Sequence, residues 1–334
     1  INDSVDRNAV RTLQEQLQVN ELIATLLVQR GIETYEQARA FFRPSLADLH
    51  DPYLMKDMDK AVQRIESALE NEERILVFGD YDVDGTTAVS LVSAYLKTLS
   101  DNIDTYIPDR YLEGYGISNK GIDYAEDNEF SLIIALDCGI KSIDKIDYAK
   151  AKGIDFIICD HHLPGDEVPG AVAVLDAKQK DCNYPYKELC GCGVGFKLIQ
   201  ALGRNRNQTT EDLVSYLDLV ATAIAADIVP ITGENRILAH FGLEVINSFP
   251  RPGLLALKKA YSISVFTITD VVFKFAPKIN AAGRIKHGNY AVKLLSEFDL
   301  EQALEFAKEI DEFNSHRKDL DKEITIQALQ QIED

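Results

Sequence analysis

The sequence predicts an α/β chain built on a parallel-sheet domain with helices on both faces (residues 53–298), with a small N-terminal helical subdomain (1–52) and a long C-terminal connector helix (299–334). Three observations carry that prediction. Short apolar runs, Ile75 to Phe78, Leu132 to Leu136 and Ile154 to Cys159, alternate with segments of helical periodicity. The runs are continuous rather than alternating in hydrophobicity, as parallel strands covered on both faces require. Each run also breaks directly into acidic or imidazole side chains, and in such sheets the ligand crevice lies outside the carboxyl ends of the strands.

Residues 8 to 43 repeat apolar positions at helical spacing: Val10, Leu13 and Leu17, then Leu22, Ile23, Leu26 and Leu27, with a stop at Arg30 and Gly31. A shorter helix is expected from Tyr35 to Phe42. Pro44, His50, Asp51 and Pro52 mark a linker. From Asp59 to Leu69 the pattern is helical again, leading into the strand at Ile75. A helix from Thr86 to Leu99 follows, then a short strand from Ile103 to Ile107 and a helix near Lys120 to Asn128. The strand at Leu132, a helix from Ile143 to Lys152 and the strand at Ile154 continue the alternation. Ala171 to Leu175 is a further strand. Beyond Gly195 the chain turns mostly helical, over Phe196 to Leu202, Leu213 to Ala226, Arg236 to Asn247 and Pro252 to Ala260. An amphipathic pattern from Leu300 to the end reads as one long helix.

Length and composition bound the reading further. The chain has 334 residues, 46% of them hydrophobic and 27% charged, which suits a globular protein of two or more domains. There is no apolar run of about 18 residues and no basic-then-apolar leader at the start, so the expectation is a cytoplasmic chain without membrane contact. Five cysteines, two of them at the ends of expected buried strands, argue for reduced thiols. Cys190 and Cys192 form a C-x-C in a glycine-rich turn, but no second pair or His is spaced to complete a zinc site.

The formal net charge of −19 argues against a broad nucleic-acid surface. One window departs from it: between Asp270 and Glu297 there is no acidic residue, while Lys274, Lys278, Arg284, Lys286 and Lys293 all fall there. It reads either as a local anion site or as a solvated basic helix face.

The candidate chemistry lies at the strand ends. Asp80, Asp82 and Asp84 follow the first strand at alternate positions and would repel one another without a cation among them. Taken alone, they could equally be an acidic turn that keeps the sheet edge soluble. Asp137 follows the next buried strand, and Asp160, His161 and His162 follow the third. Asp227, in an otherwise apolar helix that meets Pro230, is a further acidic candidate, because a buried lone carboxylate is costly unless paired or metal-bound. Carboxylates with imidazole and no thiolate suit Mn²⁺ or Mg²⁺ better than structural zinc. So many ligands exceed the needs of one ion. Two ions about 3.5 to 4 Å apart would use them, and would clamp the attacking and leaving oxygens of a phosphoryl displacement.

FGDYDVDGTTA, LDCGI, DHH and ADIVP, in this order and after these strands, resemble the motifs of the DHH phosphoesterase superfamily, and within it those of the RecJ family of single-strand exonucleases. Arg30 to Ile32, Leu49 to Val62, Tyr106 to Ser118, Asn183 to Leu198 and Ile279 to Arg284 are similar to that family as well, so the resemblance spans nearly the whole chain. It implies a metal-dependent exonuclease on single-stranded DNA, running 5′ to 3′ and releasing nucleoside 5′-monophosphates, with partners among DNA repair and replication proteins. The alternatives are a phosphodiesterase or pyrophosphatase of the same superfamily acting on short oligonucleotides or small nucleotides, and an inactive RecJ-like replication scaffold.

By the same resemblance, Asp82 and Asp137 hold one ion with Asp80 close by, while Asp84, Asp137, His161 and Asp227 hold the other. Asp160 is implied as the partner of a ligating imidazole, with His162, Arg284 and, less directly, Asn280 gripping the scissile phosphate. The Tyr106, Arg110, Tyr111 and Tyr115 loop is either a stacking platform for unpaired bases or ordinary loop packing. The family's longer design continues from the last helix into a further substrate-binding domain, so weak DNA affinity is expected of this chain alone.

Overall fold

The computed structural model describes residues 5–261 and 263–333, and the chain divides into two units, Ile1–Leu49 and His50–Asp334. In the first unit each helix starts where a side chain can take up an otherwise unpaired amide. Asp6 caps α1 (Arg7–Leu17), Asn20 caps α2 (Glu21–Val28), and Thr34 with Gln37 forms a reciprocal capping box on α3 (Tyr35–Phe42). The expected stop is present: Gly31 has a φ of +73°, and beyond it Ile32 joins Val10, Leu13, Ala24, Leu27, Val28 and Ala38 in a small core.

The second unit opens with α4 (Met58–Glu70) and β1 (Arg74–Gly79), then α5 (Val83–Leu96), β2 (Ile103–Tyr106), α6 (Asn119–Asp127), β3 (Phe130–Leu136), α7 (Ile143–Ala151), β4 (Asp155–Cys159) and β5 (Ala173–Leu175). All pairings are parallel and the strand order is β2-β1-β3-β4-β5. The chain runs outward from β1 to β2 and then returns to the other side at β3. The carboxyl ends of β1 and β3 therefore border the topological switch point, where a ligand crevice forms.

Alternate strand residues face opposite sides. Leu76, Phe78, Ile133, Ala135 and Ile158 share one core with Ile122 and Ala125 of α6 and Ile146 and Ala149 of α7. On the other side α5 packs on β1 and α8 (Gly191–Arg204) on β3 and β4. Val77, Ile134 and Leu136 are fully buried too, which is why the strands read as unbroken apolar runs.

Helices α9 (Leu217–Ala226), α10 (Gly233–Ser248) and α11 (Pro252–Lys259) follow. The window without acidic residues is helical: α12 (Ile268–Asp270), a π-helical stretch at Val271–Phe275, α13 (Ala276–Ile285) and α14 (Asn289–Ser296). Helix α15 (Leu300–Glu333) packs through Ala303, Ala307 and Ile310 against α11, α13 and α14, and its side chains from Lys318 to Ile332 are exposed. Among the described residues, no helix is long and apolar enough to cross a membrane.

Two helices begin earlier than their apolar periodicity implies. Helix α5 starts at Val83 rather than Thr86, because the Asp82 side chain accepts the Gly85 amide at 3.0 Å and caps it. Helix α8 starts at Gly191 rather than Phe196, with Cys190 as its cap. In both cases glycines and polar residues that read as loop form a first helical turn, and both turns belong to the site.

Candidate metal centre

The rim is built from the first residues beyond β1, β3 and β4 and from the end of α9. Gly85 lets the first turn of α5 lie on the Asp80 peptide, since a Cβ there would be 2.4 Å from the Asp80 carbonyl oxygen. Asp84 thus stands inside that turn, and its two carboxylate oxygens accept the amides of Gly191 at 2.6 Å and Cys192 at 2.7 Å. Asp137 extends the ladder by donating its amide to the Cys159 carbonyl at 2.8 Å, then turns with a φ of +59°. That left-handed conformation is costly for a residue with a Cβ and is concentrated at functional sites. Asp227 ends α9 in an extended conformation.

These elements converge on one atom. His161 Nε2 lies 3.1 Å from Asp137 Oδ1, 3.6 Å from Asp227 Oδ2 and 3.7 Å from Asp84 Oδ2. Two donors on adjacent corners of an ion with bonds of about 2.1 Å stand about 3 Å apart, so this spacing suits a shared hard cation. Asp84, His161 and Asp227 form one group of ligand atoms within 4.8 Å of one another, and Asp137, His161 and His162 form another. Hydrogen bonding supports the same fit. Asp137 Oδ1 and Asp227 Oδ2 have no hydrogen-bond partner, although Asp137 is almost wholly buried, and the buried Asp80 carboxylate has only the Tyr81 and Gly116 amides to face. Buried acceptors left unpaired are expensive, and a divalent ion is the partner that several carboxylates can share.

The electrostatics point the same way. Burial first, and then the neighbouring Asp82, push the Asp80 carboxyl up to about 7. Burial and Asp227 raise Asp84, and burial and Asp84 raise Asp137 well above the ordinary carboxylate range. Burial lowers His161, which keeps its imidazole neutral and able to donate a lone pair.

Asp80 and Asp82 stand beside this cluster. Among the described residues they complete no three-ligand group, because Asp82 turns inward to cap α5, but both raise the Asp137 carboxyl by their charge. Asp160 is saturated. It accepts the amides of Ile140, His161 and His162 and pairs with His162 Nδ1 at 2.7 Å. The imidazole it orients is therefore that of His162, while it fixes His161 only through the backbone. The Asp160 carboxylate raises His162, and Tyr115 Oη lies 3.3 Å from His162 Nε2.

Arg284 is exposed on α13, with Asn280 one turn earlier on the same helix and half-buried. Cβ atoms at Gly283 and Gly288 would stand 2.6 Å and 3.3 Å from Tyr81 backbone atoms, so both glycines allow this segment to close on the Asp80 loop. The other cations of the acid-free window are mostly engaged. Lys274 pairs with Asp270 and Lys278 with Asp311, each at 2.5 Å, and Lys293 lies over the Tyr290 ring. Of the loop aromatics, Tyr106 stacks on Phe78 in the core, whereas Arg110 covers Tyr81, and Tyr111 and Tyr115 are exposed.

Two features of the rim lie outside the candidates drawn from the sequence, although Asp176 carries the same strand-end signal as the others, directly after the expected strand Ala171 to Leu175. The donors to Asp84 are backbone amides, marked only by the glycines around Cys192. Asp176, directly after β5, is fully buried, with one oxygen on the Lys178 amide at 2.7 Å and the other unpartnered.

A five-stranded parallel sheet with this acidic and imidazole rim defines a DHH-type domain, and residues 74–224 match the model of the DHH family, N-terminal domain. The single-stranded-DNA-specific exonuclease RecJ of Bacillus subtilis (strain 168) is 41% identical over 98% of this chain, which covers 41% of that protein. A crystal structure of exonuclease RecJ bound to manganese is 30% identical with a TM-score of 0.77, over 86% of this chain and 72% of that one. RecJ from Thermus thermophilus has been solved with Mn²⁺ (28% identical, TM-score 0.83, 98% of this chain and 46% of that one) and with Mg²⁺ (27%, 0.72, 96% and 42%). The chain belongs to the RecJ family of DHH proteins. It spans less than half the length of its Bacillus relative.

Proposed function

We propose that this chain is the catalytic part of a divalent-metal-dependent exonuclease that removes nucleoside 5′-monophosphates from single-stranded DNA, working from the 5′ end. The observation that carries the reading is the convergence of Asp84, Asp137 and Asp227 on His161 Nε2. Bound Mn²⁺ or Mg²⁺ would supply Lewis-acid polarisation of a phosphodiester and activation of the attacking water.

The chain's own residues do the rest. Asp84, Asp137, His161 and Asp227 would hold one ion, and Asp80, Asp82 and Asp137 a second, with Asp137 between the two sets. Neutral His161 offers Nε2 as a ligand, as its lowered proton affinity requires. His162, held by Asp160 through Nδ1 and more readily protonated for it, presents Nε2 at the mouth as a donor to a phosphate oxygen. Arg284 adds a second cation there, carried by α13.

The test compares a long single strand, the matching duplex and a dinucleotide, each with Mn²⁺ and with chelator. Mn²⁺-dependent release of 5′-monophosphates from the single strand supports the proposal. Hydrolysis confined to the dinucleotide would assign the chain to the small-substrate members of the superfamily instead.

A further inference from the structure

The glycine-rich turn at the start of α8 contributes no side chain to the rim, yet it touches two of the proposed ligands. Gly191 and Cys192 donate their amides to the two oxygens of Asp84. On its other side, a Cβ at Gly191 would lie 2.6 Å from Asp137 Cβ, 2.8 Å from Asp137 Oδ1 and 2.9 Å from Asp137 Cα. Gly191 is absent from the residues with positive φ, so its backbone does not require glycine. The space against Asp137 does.

Asp137 has little freedom to yield. Its φ is left-handed and its amide is tied to the Cys159 carbonyl, so a side chain at position 191 would press on its carboxylate rather than slide past it. The amides at the other face sit at the N-terminal end of a 14-residue helix, where the helix dipole favours negative charge. They hold Asp84 in place among carboxylates that repel it.

We propose that Gly191 is a positioning residue of the metal centre, setting divalent-ion affinity by fixing Asp84 through the first amides of α8 and by leaving Asp137 the room that only a glycine leaves. The inference rests on the metal-centre reading above. It assigns a role to a residue that binds neither ion nor substrate.

Gly193, two positions on, provides a matched control. Its Cβ would meet Leu189 Cδ2 at 3.4 Å, an ordinary contact, and Asp137 is not among its neighbours. The experiment measures Mn²⁺ binding by calorimetry on the whole chain for wild type, Gly191→Ala and Gly193→Ala, with circular dichroism as the check on folding. Loss of a partner that orients a metal ligand costs roughly 10- to 100-fold in affinity, and Gly191→Ala is expected in that range while Gly193→Ala stays near wild type. Wild-type affinity in a folded Gly191→Ala overturns the proposal and leaves the metal centre standing. A wild-type chain that binds no Mn²⁺ overturns both.

Should Gly191→Ala fail to fold, the double variant Asp137→Gly/Gly191→Ala decides. Removing the Asp137 side chain takes away the two nearest atoms a Cβ would strike, Cβ and Oδ1, and leaves only Cα at 2.9 Å, so the double variant is expected to regain part of the stability that Gly191→Ala loses. A double variant that regains none of it would place the clash elsewhere and overturn the proposal.

Discussion

His161 Nε2 and Asp137 Oδ1 stand 3.1 Å apart without a hydrogen bond between them. With Asp227 and Asp84 behind them, an imidazole nitrogen and a carboxylate oxygen brought this close in a buried site without bonding each other are arranged for a cation. Substituting either residue should therefore remove binding and not merely slow turnover. His161→Ala and Asp137→Ala are expected to lower Mn²⁺ affinity by at least roughly 10-fold and to reduce single-strand cleavage by about 1,000-fold or more, since an ion set is lost as a unit. Calorimetry beside a cleavage assay checks both. Near-normal cleavage by Asp137→Ala in Mn²⁺ would contradict its place between the two sets.

Arg284 gives the opposite split. Its segment reaches the Asp80 loop through Gly283 and Gly288, but its guanidinium is exposed and is not part of the ligand cluster. Arg284→Ala is expected to leave Mn²⁺ binding intact while cutting kcat/KM on a single strand by about 10- to 1,000-fold, the range for losing a charged contact to phosphate. Arg284→Lys should recover only part of it, because a guanidinium can grip two oxygens at once.

Asp176 tests the electrostatics away from the ligands. Burial pushes its carboxyl up to about 7, with Asp160 adding to the rise and the Lys178 amide opposing it. A carboxyl with a raised folded pKa binds more protons folded than unfolded. Its contribution is thus fully present near pH 4 and is lost as pH rises through 7. Asn keeps the oxygen that caps Lys178 and carries no charge, so Asp176→Asn should be more stable than wild type at pH 8 by about 1–3 kcal/mol, with the gain fading toward pH 5. Urea unfolding of metal-free protein at both pH values measures this, and a gain of equal size at both would contradict it.

Lys197 and Glu234 form a fully buried ion pair at 3.1 Å. Lys197 also donates to the His50 carbonyl, and Glu234 accepts from Tyr184 Oη and the His50 amide. Removing one partner strands the other charge, so Glu234→Ala should cost about 3–5 kcal/mol in chemical unfolding. Lys197→Met with Glu234→Gln should cost clearly less than the sum of the single changes.

The strands, the fold class and the acidic rim were legible because parallel strands buried on both faces leave unbroken apolar runs, and because polar side chains at their ends have one place to go. The extra turn on α5 was not, since Val83 to Gly85 reads as loop until the Asp82 cap is seen. Lys274 and Lys278 fall in the acid-free window that the sequence leaves open between a local anion site and a solvated basic helix face, yet both are paired. Their partners explain the difference: Asp270 lies at the very edge of the acid-free window, and Asp311 comes from α15, beyond any local pattern. Gly191 was hidden for a different reason, because its contribution is an amide and an empty space.

The central claim is that several segments distant in sequence bring their donors to shared divalent ions at the carboxyl edge of the sheet. Anomalous diffraction from crystals grown with Mn²⁺ tests it most directly. The account predicts one manganese peak bounded by His161 Nε2, Asp84, Asp137 and Asp227, and a second on the Asp80 and Asp82 side of Asp137. Manganese bound only elsewhere, with His161 and Asp137 still 3.1 Å apart and no peak beside them, would contradict it.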